Sequence, residues 1–390
     1  MSNEQQSSNR SHPQRKQRRS PLVLDLETGD PDDLFTLMLA AAHPKLNLLA
    51  VTITPGSQDQ IVLVKYILES VLGLAEAKQV LVGAQEWPRN QKKKKCVDLE
   101  KWTAILHPNT SHNEDEQQRT ERDPVKTKKK SKKGKKESGI RTDKSANIAF
   151  KPTGQVSEWD IQPARELVAA ICHDHPEVTL LTCGPTHNLG AAIAAGAKIH
   201  RWVAQGGFCG SNFVDAGVVP SVFPKFEGLT HVASWNFGGS IEATLAALQA
   251  GEEVVARRVL VGKNICHACT YDEYVDGRLK EFLADSQSRG RNKKETKNKA
   301  GAHRKAVQWL NEILTAKYQT DGIITNRKAL HDLLALATTI DESVCQLVEV
   351  QVDVVDGNKW GAMPVEEPGK TRTFAAIAFD REKFVDALLV

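Results

Sequence analysis

The sequence predicts a single α/β domain of Rossmann-like type: a mostly parallel central sheet flanked by helices, with its ligand site at the C-terminal ends of the strands. Three observations predict it. Short apolar runs of strand length alternate with amphipathic runs of helix length, the pattern of βαβ units. The alternation recurs along most of the 390 residues, a length that suits one large domain. Five acids crowd the end of the first apolar run, the edge where an open parallel sheet binds ligands.

The elements follow in order. Residues 1–20 carry five basic side chains and one acid with no apolar core, so they read as a disordered basic tail and not a secretory leader. The domain then occupies 21–390. Residues 22–24 form an apolar strand ending in Asp25, and 27–31 a loop. Asp32 opens a helix through 42, since acids at a helix start suit its dipole. Residues 46–53 are the next strand, stopped by the turn Pro55-Gly56-Ser57. A helix over 61–72 and a strand over 80–82 follow.

The periodicity then fails. Residues 89–154 are polar and Lys-rich and are expected to be a disordered insertion. Order resumes with a helix over 163–173, a strand over 178–182, the turn Gly184-Pro185 and a helix over 189–195. A strand over 202–204 ends in Gly206-Gly207, and a helix over 240–250 precedes a strand over 259–261. A second basic loop is expected at about 286–305. Helices over 306–316 and 330–337, a strand pair over 348–353 and 373–378, and a last helix complete the chain.

Charge is unevenly placed. The tail, 126–136 and 289–305 carry +4, +8 and +7, which leaves the remainder at −15 against an overall +4. An acidic folded body with basic appendages is implied. Lys92–Lys95 and the 126–136 run could engage nucleic acid, an anionic surface or an import receptor. No aromatic interleaves the longer run, so a base-stacking platform is absent, and a solvated charged loop explains it equally well. No apolar run approaches the ~20 residues of a membrane span. Seven cysteines at no framework spacing read as thiols of a reducing compartment. The expected location is cytoplasmic, with nuclear entry as the alternative.

Asp25, Glu27, Asp30, Asp32 and Asp33 lie within nine residues. Carboxylates so crowded repel one another unless a cation or protons intervene. Oxygen ligands without neighbouring His or Cys favour a hard ion, Ca²⁺ or Mg²⁺. A solvated acidic turn capping a helix explains two acids well and five at a strand end poorly.

The segment from Val23 to Asp33 resembles the Asp-x-Asp-Pro-Gly-x-Asp-Asp opening motif of the inosine–uridine-preferring nucleoside hydrolases. Further segments agree in the family's order. Leu49 to Ser57 resembles the second strand and its turn. Thr182-Cys183-Gly184-Pro185-Thr186-His187-Asn188-Leu189 is similar to Thr-Gly-Pro-Leu-Thr-Asn-Leu. Gln205-Gly206-Gly207 with Asn212 and Trp235-Asn236 resembles Met-Gly-Gly…Gly-Asn…Glu-Phe-Asn. His331-Asp332-Leu333-Leu334-Ala335 resembles His-Asp-Pro-Leu-Ala.

The resemblance implies a Ca²⁺-dependent enzyme that splits a nucleoside or related N-riboside into ribose and base, and a homo-oligomer. Position by position, it implies Asp33, Glu27, Asp332 and the carbonyl of Cys183 as metal ligands, with Asp32, Asn212, Asn236, Ser57 and Ser234 around the ribose. His331 is implied to assist the departing base. Glu27, or Asp25 if the alignment slips by the extra residue at Asp30, is implied as catalytic base.

The chain also departs from the family. Glu27 replaces Asp, Ser57 an Asn and Ser234 a Glu, and the family's His-Gly-x-x-Gly loop is missing where 89–154 intervenes. A non-catalytic ribosyl-binding or scaffold protein is therefore the alternative. A haloacid-dehalogenase-type phosphotransferase ranks last, because it leaves Gly184-Pro185 and His331-Asp332 unexplained. Cys266-His267-Ala268-Cys269 has zinc or redox spacing but no second pair nearby. It reads as structural, with His267 lining the pocket at most. Cys172-His173-Asp174-His175 reads as a polar turn.

Overall fold

A computed structural model describes residues 18–86, 99–107, 160–215, 217–288 and 299–390. The Lys runs, most of the basic tail and the core of the second basic loop lie outside the described residues.

Among the described residues the strands are β1 (Ser20–Leu26), β2 (Leu46–Ile53), β3 (Leu81–Ala84), β4 (Ile161–Pro163), β5 (Thr179–Thr182), β6 (Arg201–Gln205), β7 (Val232–Ala233), β8 (Arg258–Val261), β9 (Gln319–Thr320), β10 (Ile323–Ile324), β11 (Cys345–Val355), β12 (Lys359–Pro364) and β13 (Thr373–Phe379). Eleven of them form one sheet in the order β4-β3-β2-β1-β5-β6-β8-β13-β11-β12-β7. The pairings from β4 through β13 are parallel, and β11, β12 and β7 add an antiparallel edge.

The principal helices are α1 (Pro31–Ala42), α2 (Gln58–Leu72), α3 (Ala164–Asp174), α4 (His187–Ala194), α5 (Ile241–Gln249), α6 (Glu273–Ser288), α7 (Lys299–Tyr318), α8 (His331–Ile340) and α9 (Arg381–Leu389). They cover both faces of the sheet. Alternate side chains of β1 show why its run is continuously apolar: Leu22, Leu24 and Leu26 join the core with α1, α2, α7 and α8, whereas Val23 joins the core with α3, α4 and α5. Asp25 is in register with Val23 and so faces α4.

β1 is the strand at which chain order reverses, with β2 on one side and β5 on the other. Such a switch point opens a crevice beyond the strand ends. The local sequence shapes its rim. Asp30 is the N-cap of α1: its carboxylate accepts from Asp32 N at 3.1 Å, while Asp33 accepts from Asp30 N at 3.0 Å. This reciprocal box typically contributes about 1 kcal/mol. The residue that looked inserted at Asp30 is thus a helix cap.

Two expectations need correction, and two elements escaped the sequence reading. Residues 89–154 contain a helix, Leu99–Leu106, which buries Trp102, Ile105 and Leu106 in the core; its apolar face is too short to stand out in Lys-rich surroundings. The expected basic loop at 286–305 is helical from Lys299, because α7 begins with Lys- and Arg-bearing turns whose apolar period shows only further on. The sequence reading passed over α6, whose polar composition hides its periodicity. It also passed over β12, so the terminal strand pair is a three-stranded edge with β11 between β13 and β12.

Candidate active site

Asp25 lies at the base of the crevice, 1% exposed. Its Oδ1 accepts from Thr52 Oγ1 on β2 at 2.6 Å and from Asn188 Nδ2 on α4 at 2.8 Å, and its backbone carbonyl accepts from Cys183 N at 2.7 Å. The carboxylate therefore ties the end of β1 to the end of β2 and to α4, while the backbone of Asp25 ties it to the end of β5. Asn188 also donates to Thr54 Oγ1 at 3.0 Å. Burial pushes Asp25 up to about 7. Neither Asn188 nor Thr52 was singled out from the sequence. Asn188 stood in the quoted motif, but only its pairing with a buried acid reveals its task.

The remaining acids gather above. Asp33 accepts from the backbone N–H of Glu27 at 3.4 Å as well as that of Asp30. Asp32 Oδ2 accepts from Asp332 N at 2.7 Å, joining the start of α1 to the start of α8 across 300 residues. Burial, then the charge of Glu27, drives Asp33 well above the usual carboxylate range; burial, then Asp32 and Asp33, does the same for Asp332. Burial raises Glu27, against a hydrogen bond from Trp235. Asp32 rises to about 7 through burial, opposed by Lys328. Burial opposes Asp30 too, yet the Lys328 ammonium 2.5 Å away holds it below its ordinary value.

Backbone detail supports this crowding. Gly184 lets the chain leaving β5 pass the acid loop: a Cβ there would stand 3.1 Å from Glu27 N. Gln60 donates to the backbone carbonyls of Glu27 and, at 3.0 Å, Thr54. Thr28 is held at φ 67°, a region a β-branched residue rarely adopts. Strain of that kind concentrates where a loop is shaped for function.

A second wall adjoins the acids. His331, one residue before Asp332, faces His267 with ring centroids 4.6 Å apart. His267 in turn packs on Phe226 and Phe223 at 5.2 and 5.8 Å, with Lys225 Nζ 3.5 Å from its Nδ1. Burial, then its neighbour imidazole, pushes His331 down to about 3; burial, then Lys225, pushes His267 down to about 4.

The family model for inosine-uridine preferring nucleoside hydrolase matches residues 22–386. The chain belongs to this family. Solved nucleoside hydrolases share the fold at low identity. A plant nucleoside hydrolase is 18% identical (TM-score 0.50, covering 95% of this chain and 98% of that one). The purine-preferring ribonucleoside hydrolase of Gardnerella vaginalis is 15% identical (0.52, 95% and 97%), and an inosine–guanosine nucleoside hydrolase 14% (0.55, 95% and 98%). No curated protein sequence matches the chain. No helix among the described residues is long and apolar enough to cross a membrane.

For a nucleoside hydrolase, the structure brings Asp25, Glu27, Asp32, Asp33, Asp332, Cys183 and His331 to one place. The other positions are tied down locally. Ser57 caps α2, its Oγ accepting from Gln60 N at 3.3 Å. Ser234 caps the short helix Trp235–Gly239, accepting from Phe237 N at 3.3 Å. Asn236 donates to Gln205 Oε1 at 2.7 Å. Asn212 donates to Ala362 O on β12 at 2.7 Å, while its Oδ1 is buried without a partner among the described residues. Trp235 stood in a quoted motif without a role, and the sequence reading passed over Lys328, since neither type announces a site.

The carboxylates suit a hard cation. After burial, the charge of Glu27 raises Asp33, and Asp32, Asp33 and Glu27 raise Asp332; the buried Asp25 Oδ2 and Asp32 Oδ1 accept no hydrogen bond among the described residues. A divalent ion with oxygen ligands would offset the crowding of like charges.

Proposed function

We propose that this nucleoside hydrolase cleaves the N-glycosidic bond of a ribonucleoside, or of a related N-riboside, giving ribose and free base. The observation that carries the reading is the convergence of Asp32, Asp33 and Asp332 from helix starts 300 residues apart, beside Glu27.

The carboxylates of Glu27, Asp33 and Asp332 and the Cys183 carbonyl would hold Ca²⁺. When bound, the ion would supply charge that lowers the pKa of a nearby water and favours the oxygens of a ribose diol. A carbonyl ligand is indifferent to its side chain, so Cys serves where the family has Thr. Glu27 is the general base: it stands at the mouth, half-buried, whereas Asp25 is sealed below, with one oxygen engaged by both Thr52 and Asn188. Asp25 is the positioning residue for the three strand ends. Asp32 accepts a hydrogen bond from a ribose hydroxyl. Asn212, Asn236, Ser57 and Ser234 border the sugar. His331 stands against the departing base, and the Phe223–Phe226–His267 wall offers it an aromatic surface.

The test is a panel of purine and pyrimidine ribosides incubated with the full chain and Ca²⁺, without phosphate. Ribose and base released in equal amounts support the reading. Ligand retention without any release would favour the non-catalytic, ribosyl-binding alternative.

A further inference from the structure

Beside the carboxylates, a different donor set converges from two distant segments. Cys266 ends the short helix Lys263–Cys266 after β8, His267 follows it, and His331 opens α8. One ligand atom from each of these side chains lies within 4.8 Å of the others. The sulfur is fixed from behind: Asn236 Nδ2 donates to Gln205 Oε1 at 2.7 Å, and Gln205 Nε2 donates to Cys266 Sγ at 3.3 Å. Independently, His331 Nε2 is buried with no hydrogen-bond partner among the described residues. A buried imidazole nitrogen left without a partner needs an explanation.

We propose that Cys266, His267 and His331 form a second cation site, for a borderline transition ion of the Zn²⁺ class, distinct from the carboxylate site. One thiolate with two imidazoles is a donor set that such ions take and Ca²⁺ refuses. Three protein ligands leave a fourth tetrahedral position for water or a ligand group. Binding replaces the Cys266 thiol proton, which leaves to solvent, by the metal–sulfur bond. Local charge is mixed. Asp32 and Asp332 act on Cys266, whereas Lys225, Lys263 and Lys328 act on the imidazoles. Lys225 Nζ lies 3.5 Å from His267 Nδ1, so an ion held through that nitrogen would require the ammonium to move off it. Cys269 completes the Cys-x-x-Cys spacing but lies outside the three-residue cluster; the third ligand is His331, 64 residues after His267. Occupancy takes the His331 nitrogen, so the ion acts as an inhibitor. That consequence rests on the role proposed for His331, whereas the site itself does not.

The test uses the full chain, stripped of metal and kept reduced, titrated with Co²⁺. Wild type is expected to develop a near-ultraviolet thiolate-to-cobalt charge-transfer band that saturates at one ion per chain and is displaced by Zn²⁺. Cys266→Ala loses the band, and His267→Ala needs at least tenfold more Co²⁺ for half-saturation. No band in wild type, or a band unchanged in both variants, overturns the proposal. If Cys266→Ala does not fold, the partly exposed His267→Ala decides alone. In the presence of Ca²⁺ and a hydrolysed riboside, Zn²⁺ is expected to inhibit wild type at least tenfold more strongly than Cys266→Ala; equal inhibition overturns the inhibitory role. Failure to hydrolyse any riboside would sink the proposed function and leave the cobalt band as the test of the site.

Discussion

Trp235 donates its indole Nε1–H to Glu27 Oε2 at 2.9 Å, linking the acid loop to a segment 208 residues further along the chain. The resemblance places Asp at position 27 and Phe at position 235. Here the acid is one methylene longer and the aromatic ring carries a donor, and the two side chains meet. The ring is 71% exposed, so its packing contributes little and the hydrogen bond is its main tie to the site. Trp235→Phe should cut kcat about three- to tenfold, the range of one hydrogen bond of about 1 kcal/mol, with Tm almost unmoved. Steady-state kinetics beside a melting curve checks both.

The division of labour between Glu27 and Asp25 is separable by experiment. Glu27→Gln should lower kcat by about 10²–10⁴, the typical worth of a general base, with a native melting curve. Asp25→Asn should chiefly destabilise. An amide can keep its oxygen on the Thr52 and Asn188 donors but buries two N–H groups where Oδ2 has no partner among the described residues, and an unsatisfied buried polar group costs about 1–3 kcal/mol. Denaturant unfolding of both variants, set against their kcat values, distinguishes the roles; the reverse pattern would make Asp25 the base.

Cys183 makes a narrower prediction. Its side chain is buried, while only its carbonyl is assigned to the metal. Cys183→Thr, the family residue, should keep Ca²⁺ affinity within about threefold, because the carbonyl stays in place. Calorimetric titration with Ca²⁺ reads it directly.

A pH dependence of stability arises far from the site. His43 accepts from Lys45 N at its Nδ1, 3.3 Å, so its Nε2–H donates to Ala387 O at 2.9 Å. His303 Nε2 bonds the neighbouring Leu388 O at 2.8 Å, and the two rings meet edge to face at 5.2 Å. The pair satisfies terminal carbonyls of α9, and protonating His43 Nδ1 would set a donor against a donor. Burial, then His303, lowers His43 from 6.5 to about 3; burial lowers His303. At these two sites the unfolded chain therefore binds more protons than the folded one below about pH 6.5. Their contribution to stability is full above that pH and is lost as pH falls toward 3, with a slope of about 1.4 kcal/mol per pH unit for each proton. The buried acids, raised by burial, act in the opposite sense, so the comparison isolates His43: between pH 7 and 5 wild type should lose unfolding free energy relative to His43→Gln.

Much of the fold was legible because burial on both faces leaves continuous apolar strands. The run 46–53 coincides with β2, and β1 and β13 were found within two residues. What escaped was polar outside or embedded in charge, as with α6, the start of α7 and the helix Leu99–Leu106. The acids of the opening loop were visible as a cluster, and Asp332 through its motif. Their supports were not. Asn188, Thr52, Trp235 and Gln60 are ordinary residue types, and each acquires its place only from contacts with a partner at least 27 residues away. The nearness of Cys266 and His267 to His331 is likewise a product of topology, which no local spacing encodes.

The central proposal is that Glu27, after β1, Asp33 on α1 and Asp332 on α8 hold a Ca²⁺ used in riboside hydrolysis. Ribose release by wild type and Asp33→Ala, measured with Ca²⁺, after chelation and after Ca²⁺ is restored, tests it most directly. The account predicts release that chelation abolishes and Ca²⁺ restores in wild type, and at least about 10²-fold slower release in the folded variant. Release that is indifferent to chelator, or undiminished in Asp33→Ala, would contradict it.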